Sequence, residues 1–537
     1  MHAEWRPMTV AAWIRRNAHW RRDKLALVSG DRRYTYGEFN ERVNRQANGL
    51  LAEGLVRGDR VAVIANNTSE AVEALGAAAK AGLVHVPINF RLSPREVEQI
   101  LTHSGARIVL AEQEFAGLLD GIGPCPDLKR IIRHDPRDQG GSEHEAWLAG
   151  QPDAEPPVDV TGEDDLLIVY TSGTTGSAKG AFFKQKHCVA HAPVPALVYD
   201  IREDSRLLMV YPHNSIASMN MYYIPAWMQG ATVVLADARG FSAERWLGQV
   251  ERERITHCHL VPTMLIRVLD SGAVGQFDVS SLQTVGYGSA PMPKHRVEEL
   301  SATFGNILVQ GYGMTETSSI AAALDKAEHR RALAGDGRRL ASCGRPVFGC
   351  ELRVVGEDGH DVKPGELGEI IFRGPYIAPA YFKDPERTAQ TIVDGWLHSG
   401  DLAELDEDGF IYIVDRKNDI IISGGFNVAS KEVEEVLCWH DAVREAAVVS
   451  RPDPEWGERV HAFVALREGA AADAAELIAF CRDRLSRIKC PDRIEFVEEL
   501  PRNALGKLVK GDLRARARAR AQTESQAQAR QPVRGDA

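Results

Sequence analysis

Residues 166–180 read Leu-Leu-Ile-Val-Tyr-Thr-Ser-Gly-Thr-Thr-Gly-Ser-Ala-Lys-Gly, a short apolar run followed by a loop rich in glycine and hydroxyl groups. The apolar run from Leu166 to Val169 predicts a buried strand. Glycines let the backbone turn so that several N–H groups point at one anion, while the hydroxyl groups and Lys179 add donors and positive charge. The stretch therefore predicts a phosphate-binding loop at the end of a strand.

The loop differs from the P-loop of nucleoside triphosphatases, in which the lysine is followed by serine or threonine. Here Gly180 follows Lys179, and the glycines are also spaced differently. Taken alone, the loop leaves a second interpretation open, which is a surface loop rich in glycine and threonine that binds no ligand.

Length and composition indicate a globular protein with more than one domain. The chain has 537 residues, which is more than a single hydrophobic core usually organises. Its 44% apolar and 26% charged residues are ordinary for a globular protein and exclude a wholly disordered chain. The net charge of -11 argues against a nucleic-acid-binding protein, and an anionic ligand would need local donors because the global field repels it.

Cysteine usage and the N-terminal residues favour a cytoplasmic protein. The 8 cysteines are scattered without a C-x-x-C pair, which argues against a zinc site or a disulfide framework and fits a reducing compartment. The first residues lack the apolar segment of a secretory signal, and no apolar run is long enough to cross a bilayer. We therefore expect a cytoplasmic chain without a transmembrane segment.

Strand and helix patterns alternate through the first two-thirds of the chain. The run Val61–Ile64 predicts a buried strand, and the alanine-rich residues 69–81 predict a packed helix. Ser93 and Glu96 form a capping box at the start of another helix. This alternation predicts an α/β fold with a large N-terminal domain of several subdomains, whose sheets are covered by helices.

From about Ala403 the pattern changes to the short strands and helices of a small α+β domain, which a polar break at residues 416–419 joins to the first. We predict a large domain over residues 1–415, a small C-terminal domain over residues 416–516, and a disordered tail over residues 517–537. The tail is expected to be disordered because it is rich in Arg, Ala and Gln and contains no aromatic residue.

Seven further motifs follow the loop in the order found in one enzyme superfamily. From about Ala11 to Arg514, the chain resembles the adenylate-forming enzymes: acyl-CoA synthetases, carrier-loading adenylation domains and firefly-type luciferases. It is most similar to the acyl-CoA ligase branch. The motifs are Gly288-Ser289-Ala290-Pro291, Gly311-Tyr312-Gly313-Met314-Thr315-Glu316, Gly344-Arg345-Pro346, Trp396-Leu397-His398-Ser399-Gly400-Asp401, Asp415-Arg416, Ser423-Gly424-Gly425-Phe426-Asn427-Val428 and Pro501-Arg502-Asn503-Ala504-Leu505-Gly506-Lys507.

The resemblance implies an ATP-dependent acid–CoA ligase. Such an enzyme activates a carboxylic acid as an acyl-adenylate with release of pyrophosphate, and then transfers the acyl group to coenzyme A. The implied cosubstrates are ATP, coenzyme A and a small carboxylic acid, and the implied metal is Mg²⁺. Because two anions must meet, the site has to supply cations and oriented dipoles.

The resemblance also assigns roles to individual residues at the nucleotide. Glu316 is the implied Mg²⁺ ligand, since a hard cation prefers oxygen, and Thr315 is the implied contact of the α-phosphate. Asp401 is implied to accept from the ribose hydroxyls, Arg416 to donate to ribose or phosphate, and Tyr312 to lie against adenine. The full implied set for ATP or AMP is Thr171, Ser172, Gly173, Thr174, Thr175, Gly176, Lys179, Ser289, Ala290, Pro291, Gly311, Tyr312, Gly313, Met314, Thr315, Asp401, Arg416 and Lys507.

Lys507 is the implied catalytic residue of adenylation, because an ammonium group between the carboxylate and the α-phosphate neutralises charge in the transition state. The small domain is implied to be mobile and to turn about a hinge at Asn418 between the two half-reactions. The Ser423-Gly424-Gly425 segment is then implied to line the CoA tunnel. Relatives usually carry Asp or Lys at the hinge and Pro at position 178, so Asn418 and Ala178 are departures.

The acyl group is assigned to a set of uncharged residues. His213 is implied to lie between the acyl pocket and the thiol entrance and, with Lys507 and Thr315, completes the implied catalytic set. The alternative for His213 is a core histidine bonded to backbone. A second charged group on the substrate would lack a partner in such a pocket, so we predict an apolar monocarboxylic acid of the fatty, alicyclic or aromatic kind. The implied acyl pocket consists of His213, Ser218, Met219, Gly311, Ile320 and Ala321.

Three alternatives to a CoA ligase remain open from the sequence. The first is a stand-alone adenylating enzyme that loads an acyl carrier protein, and the second is oxygenase chemistry of the luciferase kind. The third is a non-catalytic nucleotide-binding protein, against which the intact Lys507, Glu316, Asp401 and Arg416 argue. A homodimer is also left open, and no nucleic-acid partner is expected.

Overall fold

The computed structural model describes residues 8–137, 142–171, 179–290, 292–335, 337–454, 456–502 and 508–529, with side chains of the last helix described as far as residue 521. The strands are β1 (Leu25–Ser29), β2 (Arg32–Thr35), β3 (Arg60–Ile64), β4 (Val84–Ile88), β5 (Ala106–Glu112), β6 (Arg130–His134), β7 (Asp165–Thr171), β8 (Lys179–Lys184), β9 (Arg206–Met209), β10 (Thr232–Leu235), β11 (His257–Leu260), β12 (Thr284–Gly288), β13 (Leu308–Tyr312), β14 (Ala322–Leu324), β15 (Arg345–Pro346), β16 (Glu351–Val355), β17 (Gly368–Arg373), β18 (Ala380–Tyr381), β19 (Ile392–Val393), β20 (Trp396–Leu405), β21 (Ile411–Arg416), β22 (Ile421–Ser423), β23 (Phe426–Val428), β24 (Val443–Asp453), β25 (Gly457–Leu466) and β26 (Arg493–Phe496).

Helices separate most of these strands. They are α1 (Val10–Trp20), α2 (Tyr36–Ala52), α3 (Ser69–Ala81), α4 (Pro94–Ser104), α5 (Ala116–Asp120), α6 (Glu143–Ala149), α7 (Gln185–His191), α8 (Pro193–Tyr199), α9 (Ile224–Gln229), α10 (Ala243–Glu253), α11 (Pro262–Asp270), α12 (Lys294–Phe304), α13 (Lys326–Ala334), α14 (Pro385–Thr391), α15 (Ser430–Cys438), α16 (Ala474–Arg482) and α17 (Lys510–Ala529). The π-helix Ser218–Tyr223 and the 3-10 turns Thr315–Thr317 and Lys417–Asp419 position site residues.

Two large sheets form the frame of the N-terminal part of the chain. The nine-stranded sheet has the order β15-β14-β13-β12-β11-β9-β10-β1-β2, and its strands β13, β12, β11, β9, β10 and β1 run parallel. The seven-stranded sheet has the order β18-β8-β7-β4-β3-β5-β6 and is parallel from β7 to β6. The predicted α/β fold with helix-covered sheets is confirmed.

Helix α3 shows why the sequence folds in this way. Every residue of α3 is buried, and the helix contacts α2 and strands of both large sheets, among them β1 and β4. Its many alanines allow close approach on all sides, because small side chains let neighbouring backbones come near. The bounds match the predicted helix over residues 69–81, and the predicted capping box of Ser93 and Glu96 is present at α4.

The chain divides into two compact units. The first contains Met1–Arg353, Ile371–His398 and Glu407–Ile411, and the second contains Val354–Ile370, Ser399–Asp406 and Tyr412–Ala537. The second unit holds the antiparallel strands β23, β22, β25 and β24, with β26 parallel to β25 and helices α15 and α16 packed beside them. The predicted α+β domain is confirmed, whereas its boundary at residues 415/416 and its mobility stay predictions.

The C-terminal helix corrects one expectation. Helix α17 continues to Ala529, so the predicted disorder from residue 517 is wrong for residues 517–529. Leu513, Ala517 and Ala521 recur every fourth residue and are buried, and the helix packs on β24. Arg516 and Arg520 pair with Glu495. Alanine, arginine and glutamine are good helix formers, which favours the helix. Its buried face contains mostly alanine, so the amino-acid composition alone does not distinguish this helix from a disordered tail.

Candidate active site

The carboxyl ends of four neighbouring parallel strands bring the motifs of the first unit to one edge of the nine-stranded sheet. In sheet order these strands are β13, β12, β11 and β9. Parallel strands end at the same edge, which is where α/β sheets commonly bind ligands. The motif Gly311–Glu316 begins in β13, Ser289 and Ala290 of the motif Gly288–Pro291 follow β12, and the predicted acyl residue His213 lies just beyond β9. The predicted adenine and acyl segments therefore lie side by side.

Glycines at this edge are required by packing. Gly288 of β12 is paired with Gly311 of β13, and a Cβ atom on Gly288 would lie 2.2 Å from the carbonyl oxygen of Gly311. A Cβ atom on Gly313 would lie 2.1 Å from the carbonyl oxygen of Ser319. Ser289, directly after β12, has a φ of 67°, in the left-handed region that L-residues rarely adopt. The glycines of these two motifs are therefore needed for the close backbone packing itself, whether or not they also contact a ligand.

The predicted phosphate loop joins two paired strands. Thr171 ends β7 and Lys179 begins β8, and the two residues are direct partners in the antiparallel pair. The ends of the loop are therefore fixed beside each other. Several predicted site residues lie outside the described residues: Ser172, Gly173, Thr174, Thr175, Gly176, Pro291 and Lys507.

Tyr381 connects the phosphate-loop strand to the predicted metal ligand. Tyr381 belongs to β18, which pairs with β8, and its hydroxyl donates to Oε1 of Glu316 at 2.6 Å. The Nζ atom of Lys179 lies 6.0 Å from the centre of the Tyr381 ring. Burial, with the nearby charge of Glu316, raises the pKa of Tyr381, so the phenol keeps its proton and remains a donor. No motif marked Tyr381, because a single tyrosine in a short edge strand gives no periodic signal.

Glu316 is buried, and both its backbone carbonyl and its side-chain carboxylate accept hydrogen bonds. It lies in the 3-10 turn Thr315–Thr317, and its carbonyl oxygen accepts from the N–H of Ala378 at 2.7 Å. Among the described residues, no group of three or more His, Cys, Asp or Glu side chains could hold a metal ion. A single fixed carboxylate nevertheless fits Mg²⁺, which commonly takes one or two protein carboxylates, substrate phosphates and water.

The predicted acyl residues form an uncharged, buried group. Met219, Ile320 and Ala321 are almost fully buried, and Ser218 donates its hydroxyl to the carbonyl oxygen of Pro212 at 2.8 Å. Ser218 and Met219 belong to the π-helix Ser218–Tyr223, a rare element that is frequent at functional sites. The structure adds that all six of these residues are buried.

His213 is buried and contacts two other side chains. Its Nε2 atom lies 3.1 Å from Nε2 of His85, and its Nδ1 atom lies 3.5 Å from the hydroxyl of Tyr223. Burial lowers the pKa of His213 to about 3, so the ring is neutral at physiological pH. Its partners are side chains, whereas the alternative interpretation had a core histidine bonded to backbone.

Two predicted nucleotide ligands of the second unit pair with each other. The Nε atom of Arg416 lies 2.5 Å from Oδ1 of Asp401, which is buried, whereas Arg416 is half-exposed. The predicted CoA-tunnel segment forms the turn between β22 and β23, where Gly424 and Gly425 have φ values of 55° and 82°. Asn418 lies in the turn Lys417–Asp419. The ligand, tunnel and hinge roles of these residues stay predictions.

Comparison with known proteins identifies the family. The model of the AMP-binding enzyme family matches residues 14–382, and that of the AMP-binding enzyme C-terminal domain matches residues 432–507. The chain belongs to the AMP-binding enzyme family. The prediction of an enzyme of the adenylate-forming, acid–thiol ligase kind is confirmed at this level.

Members of this family with known activities are similar over nearly the whole chain. A feruloyl-CoA synthase of Amycolatopsis sp is 36% identical over 514 residues, which cover 94% of this chain and 99% of that protein. An indoleacetate–CoA ligase of Aromatoleum aromaticum is 35% identical over 508 residues, 94% of this chain and 98% of that protein. The crystal structure of an anthranilate CoA ligase with anthranoyl-AMP has a TM-score of 0.86 and 29% identity, and covers 96% of this chain and 98% of that one.

The described part of this AMP-binding enzyme includes no helix that is both long and apolar enough to cross a membrane.

Replacing Tyr381 with Phe tests the link between β18 and Glu316. Hydrogen bonds to charged groups contribute about 1.5–3 kcal/mol, so Tyr381→Phe should lower the free energy of unfolding by about 2 kcal/mol. Urea denaturation followed by circular dichroism measures this loss. A matched control is Tyr412→Phe, which removes a 3.0 Å bond to Asp406 in a more accessible place and should cost less than about 1 kcal/mol. Equal losses for the two variants would contradict the importance of the buried bond.

Proposed function

We propose that this enzyme activates an apolar monocarboxylic acid as an acyl-adenylate, with release of pyrophosphate from ATP, and then transfers the acyl group to coenzyme A. The observation that carries the proposal is the shared edge of β13, β12, β11 and β9. We assign the buried carboxylate of Glu316, in the motif that begins in β13, to the nucleotide, and the uncharged residues around Met219 to the acyl group. Such an arrangement suits a ligand that is charged at one end and apolar at the other.

In the first half-reaction, an oxygen of the substrate carboxylate attacks the α-phosphorus of ATP, and the bond from that phosphorus to the bridging oxygen breaks. Pyrophosphate leaves with the electron pair of that bond. We assign Thr171 and Lys179, which pair at the two ends of the loop, to the outer phosphates, and Glu316 would hold Mg²⁺ with Tyr381 orienting its carboxylate. The bound ion would neutralise phosphate charge. We assign Thr315 to the α-phosphate, Asp401 and Arg416 to the ribose, and Lys507 to the reacting oxygens.

In the second half-reaction, the sulfur of coenzyme A attacks the acyl carbonyl carbon and the thiol proton passes to solvent. The carbon–oxygen bond to AMP breaks, and AMP leaves with the electron pair of that bond. We assign the turn Ser423-Gly424-Gly425 to the thiol path and Asn418 to the hinge between the two half-reactions. The positive φ values of both glycines support a backbone that a narrow substrate can approach closely.

The acid is proposed to be aromatic or otherwise apolar, with a single carboxylate. The predicted acyl residues carry no charge, and a buried second carboxylate would lose several kcal/mol without a partner. The feruloyl-CoA synthase and the indoleacetate–CoA ligase take aromatic acids by name. Their identities of 36% and 35% support an aromatic body for the acid, whereas the single carboxylate rests on the uncharged acyl residues alone.

A panel of acids tests the proposed function. The purified chain is incubated with ATP, Mg²⁺, coenzyme A and benzoate, cinnamate, indoleacetate, decanoate or succinate, and acyl-CoA is measured by mass spectrometry. An apolar monocarboxylate should exceed succinate in kcat/KM by about 100-fold or more, since burying an unpaired charge is costly. Preference for succinate or an amino acid would contradict the substrate class. Product on an acyl carrier protein instead of coenzyme A would contradict the acceptor.

The role of Lys507 is tested by separating the half-reactions. Lys507→Ala should lower acid-dependent ATP–pyrophosphate exchange by about 100-fold or more, because transition-state charge loses its cation. Thioester formation from supplied acyl-adenylate should continue. The control Lys489→Ala removes a lysine that pairs with Glu432 on the surface of the second unit, and it should leave both rates unchanged. Normal exchange by Lys507→Ala would show that the lysine has another role.

A further inference from the structure

A pair of buried histidines connects the two large sheets of the first unit. His85 is the second residue of β4 in the seven-stranded sheet, where it is paired with Leu167 of β7, the strand that leads into the predicted phosphate loop. His213 follows β9 of the nine-stranded sheet. The two Nε2 atoms lie 3.1 Å apart, and the ring planes are nearly perpendicular at 88°. The contact therefore spans 128 residues of sequence and two different sheets.

The surroundings assign a proton to each ring. Both rings are neutral, because burial lowers the pKa of His85 well below its usual value and that of His213 to about 3. A bond between two Nε2 atoms needs one N–H and one lone pair. The Nδ1 atom of His85 is buried and has no partner among the described residues. Since an orphaned N–H is rarer than an orphaned acceptor, His85 carries its proton on Nε2 and donates it.

This donation fixes the second ring as well. If the Nε2 atom of His213 accepts from His85, then Nδ1 of His213 carries the proton and points at the hydroxyl oxygen of Tyr223, 3.5 Å away. The backbone beside His213 is held too, because Asn67 donates to the carbonyl oxygen of Tyr211 at 2.9 Å and Ser218 donates to that of Pro212. Both ring nitrogens of His213 are thus engaged, which leaves neither free to accept a proton from a thiol.

We propose that His85 is a positioning residue for acyl transfer, which holds His213 in one orientation and one neutral tautomer at the acyl site. The inference rests on the proposed function, in which His213 lies between the acyl group and the thiol. A ring that is held by its two nitrogens presents its carbon edge to the substrate. His213 then shapes the path of the thiol without taking part in proton transfer.

Amide substitutions test the position of the donor. In the full chain, His85→Gln places an N–H near the former Nε2 position, whereas His85→Asn places it near Nδ1. Relative to wild type, His85→Asn and His85→Leu should lower kcat/KM for acyl-CoA formation about 10-fold, the effect of a lost buried hydrogen bond of about 1.4 kcal/mol. His85→Gln should stay within about 3-fold of wild type. Equal rates for Gln and Asn would overturn the proposal.

A double-mutant cycle tests whether His85 acts through His213. In a His213→Ala background, His85→Leu should cost less than about 2-fold, since the interaction that it removes is already absent. The same 10-fold loss in both backgrounds would overturn the proposal, because His85 would then act independently of His213. The control His144→Leu removes another buried histidine, from α6, and should lower the melting temperature without a loss of kcat/KM.

The tautomer of His213 can be measured by NMR without an activity assay. In wild-type protein labelled with nitrogen-15 histidine, the signals that His213→Ala removes should show a protonated Nδ1 and a bare Nε2. The opposite pattern would overturn the proposal even if the His85 variants fail to fold. If wild type catalyses no acid-dependent ATP–pyrophosphate exchange, the proposed function fails, whereas intact exchange without coupling between His85 and His213 contradicts the inference alone.

Discussion

The pairing of Gly288 with Gly311 is the constraint on which the site depends. A Cβ atom on Gly288 would lie 2.2 Å from the carbonyl oxygen of Gly311, so the two strand ends can pair only without side chains there. This close approach places the turn at Ser289 directly beside the motif that ends in Glu316. The same sheet edge continues through β11 to β9 and His213. One backbone contact thus sets the spacing between the ends of β12 and β13, the two strands that carry the predicted nucleotide motifs.

The negative net charge of the chain opposes the binding of anionic substrates, so the site needs positive and polar groups close to them. The chain has a net charge of -11, and the proposed reaction brings a carboxylate to a triphosphate. The global field opposes this encounter, so catalysis depends on oriented groups at short range. The described side of the site provides Lys179 beside the phosphate loop and the Tyr381–Glu316 pair. The predicted acyl residues are uncharged, and burial keeps both His213 and its neighbour His85 neutral.

Local patterns in the sequence predicted much of this fold. The strand over Val61–Ile64, the helix over 69–81 and the capping box at Ser93 each depend on a few neighbouring residues, and the structure confirms them. The sequence motifs also identified the family, because their glycines are fixed by tight turns. Long-range partners could not be predicted in this way. Tyr381 and Glu316 are 65 residues apart, and no periodicity or spacing relates them.

The same limit explains the other misses. His85 looks like one polar residue inside an apolar strand, and only its neighbour from the second sheet gives it a partner. The composition of the tail from residue 517 predicts disorder, yet Ala517 and Ala521 are buried and their helix packs against β24 of the second unit. In both cases, the deciding contact lies far away in sequence. The roles of Lys507 and the loop residues rest on motif resemblance, since these residues lie outside those described.

The fate of the carboxylate oxygens tests the formation of an acyl-adenylate most directly. The enzyme is supplied with ATP, coenzyme A and its preferred acid labelled with oxygen-18 in both carboxylate oxygens, and the products are analysed by mass spectrometry. Attack of the carboxylate on the α-phosphorus predicts one labelled oxygen in AMP and none in pyrophosphate. Unlabelled AMP, or label in inorganic phosphate, would contradict activation through an acyl-adenylate at this site.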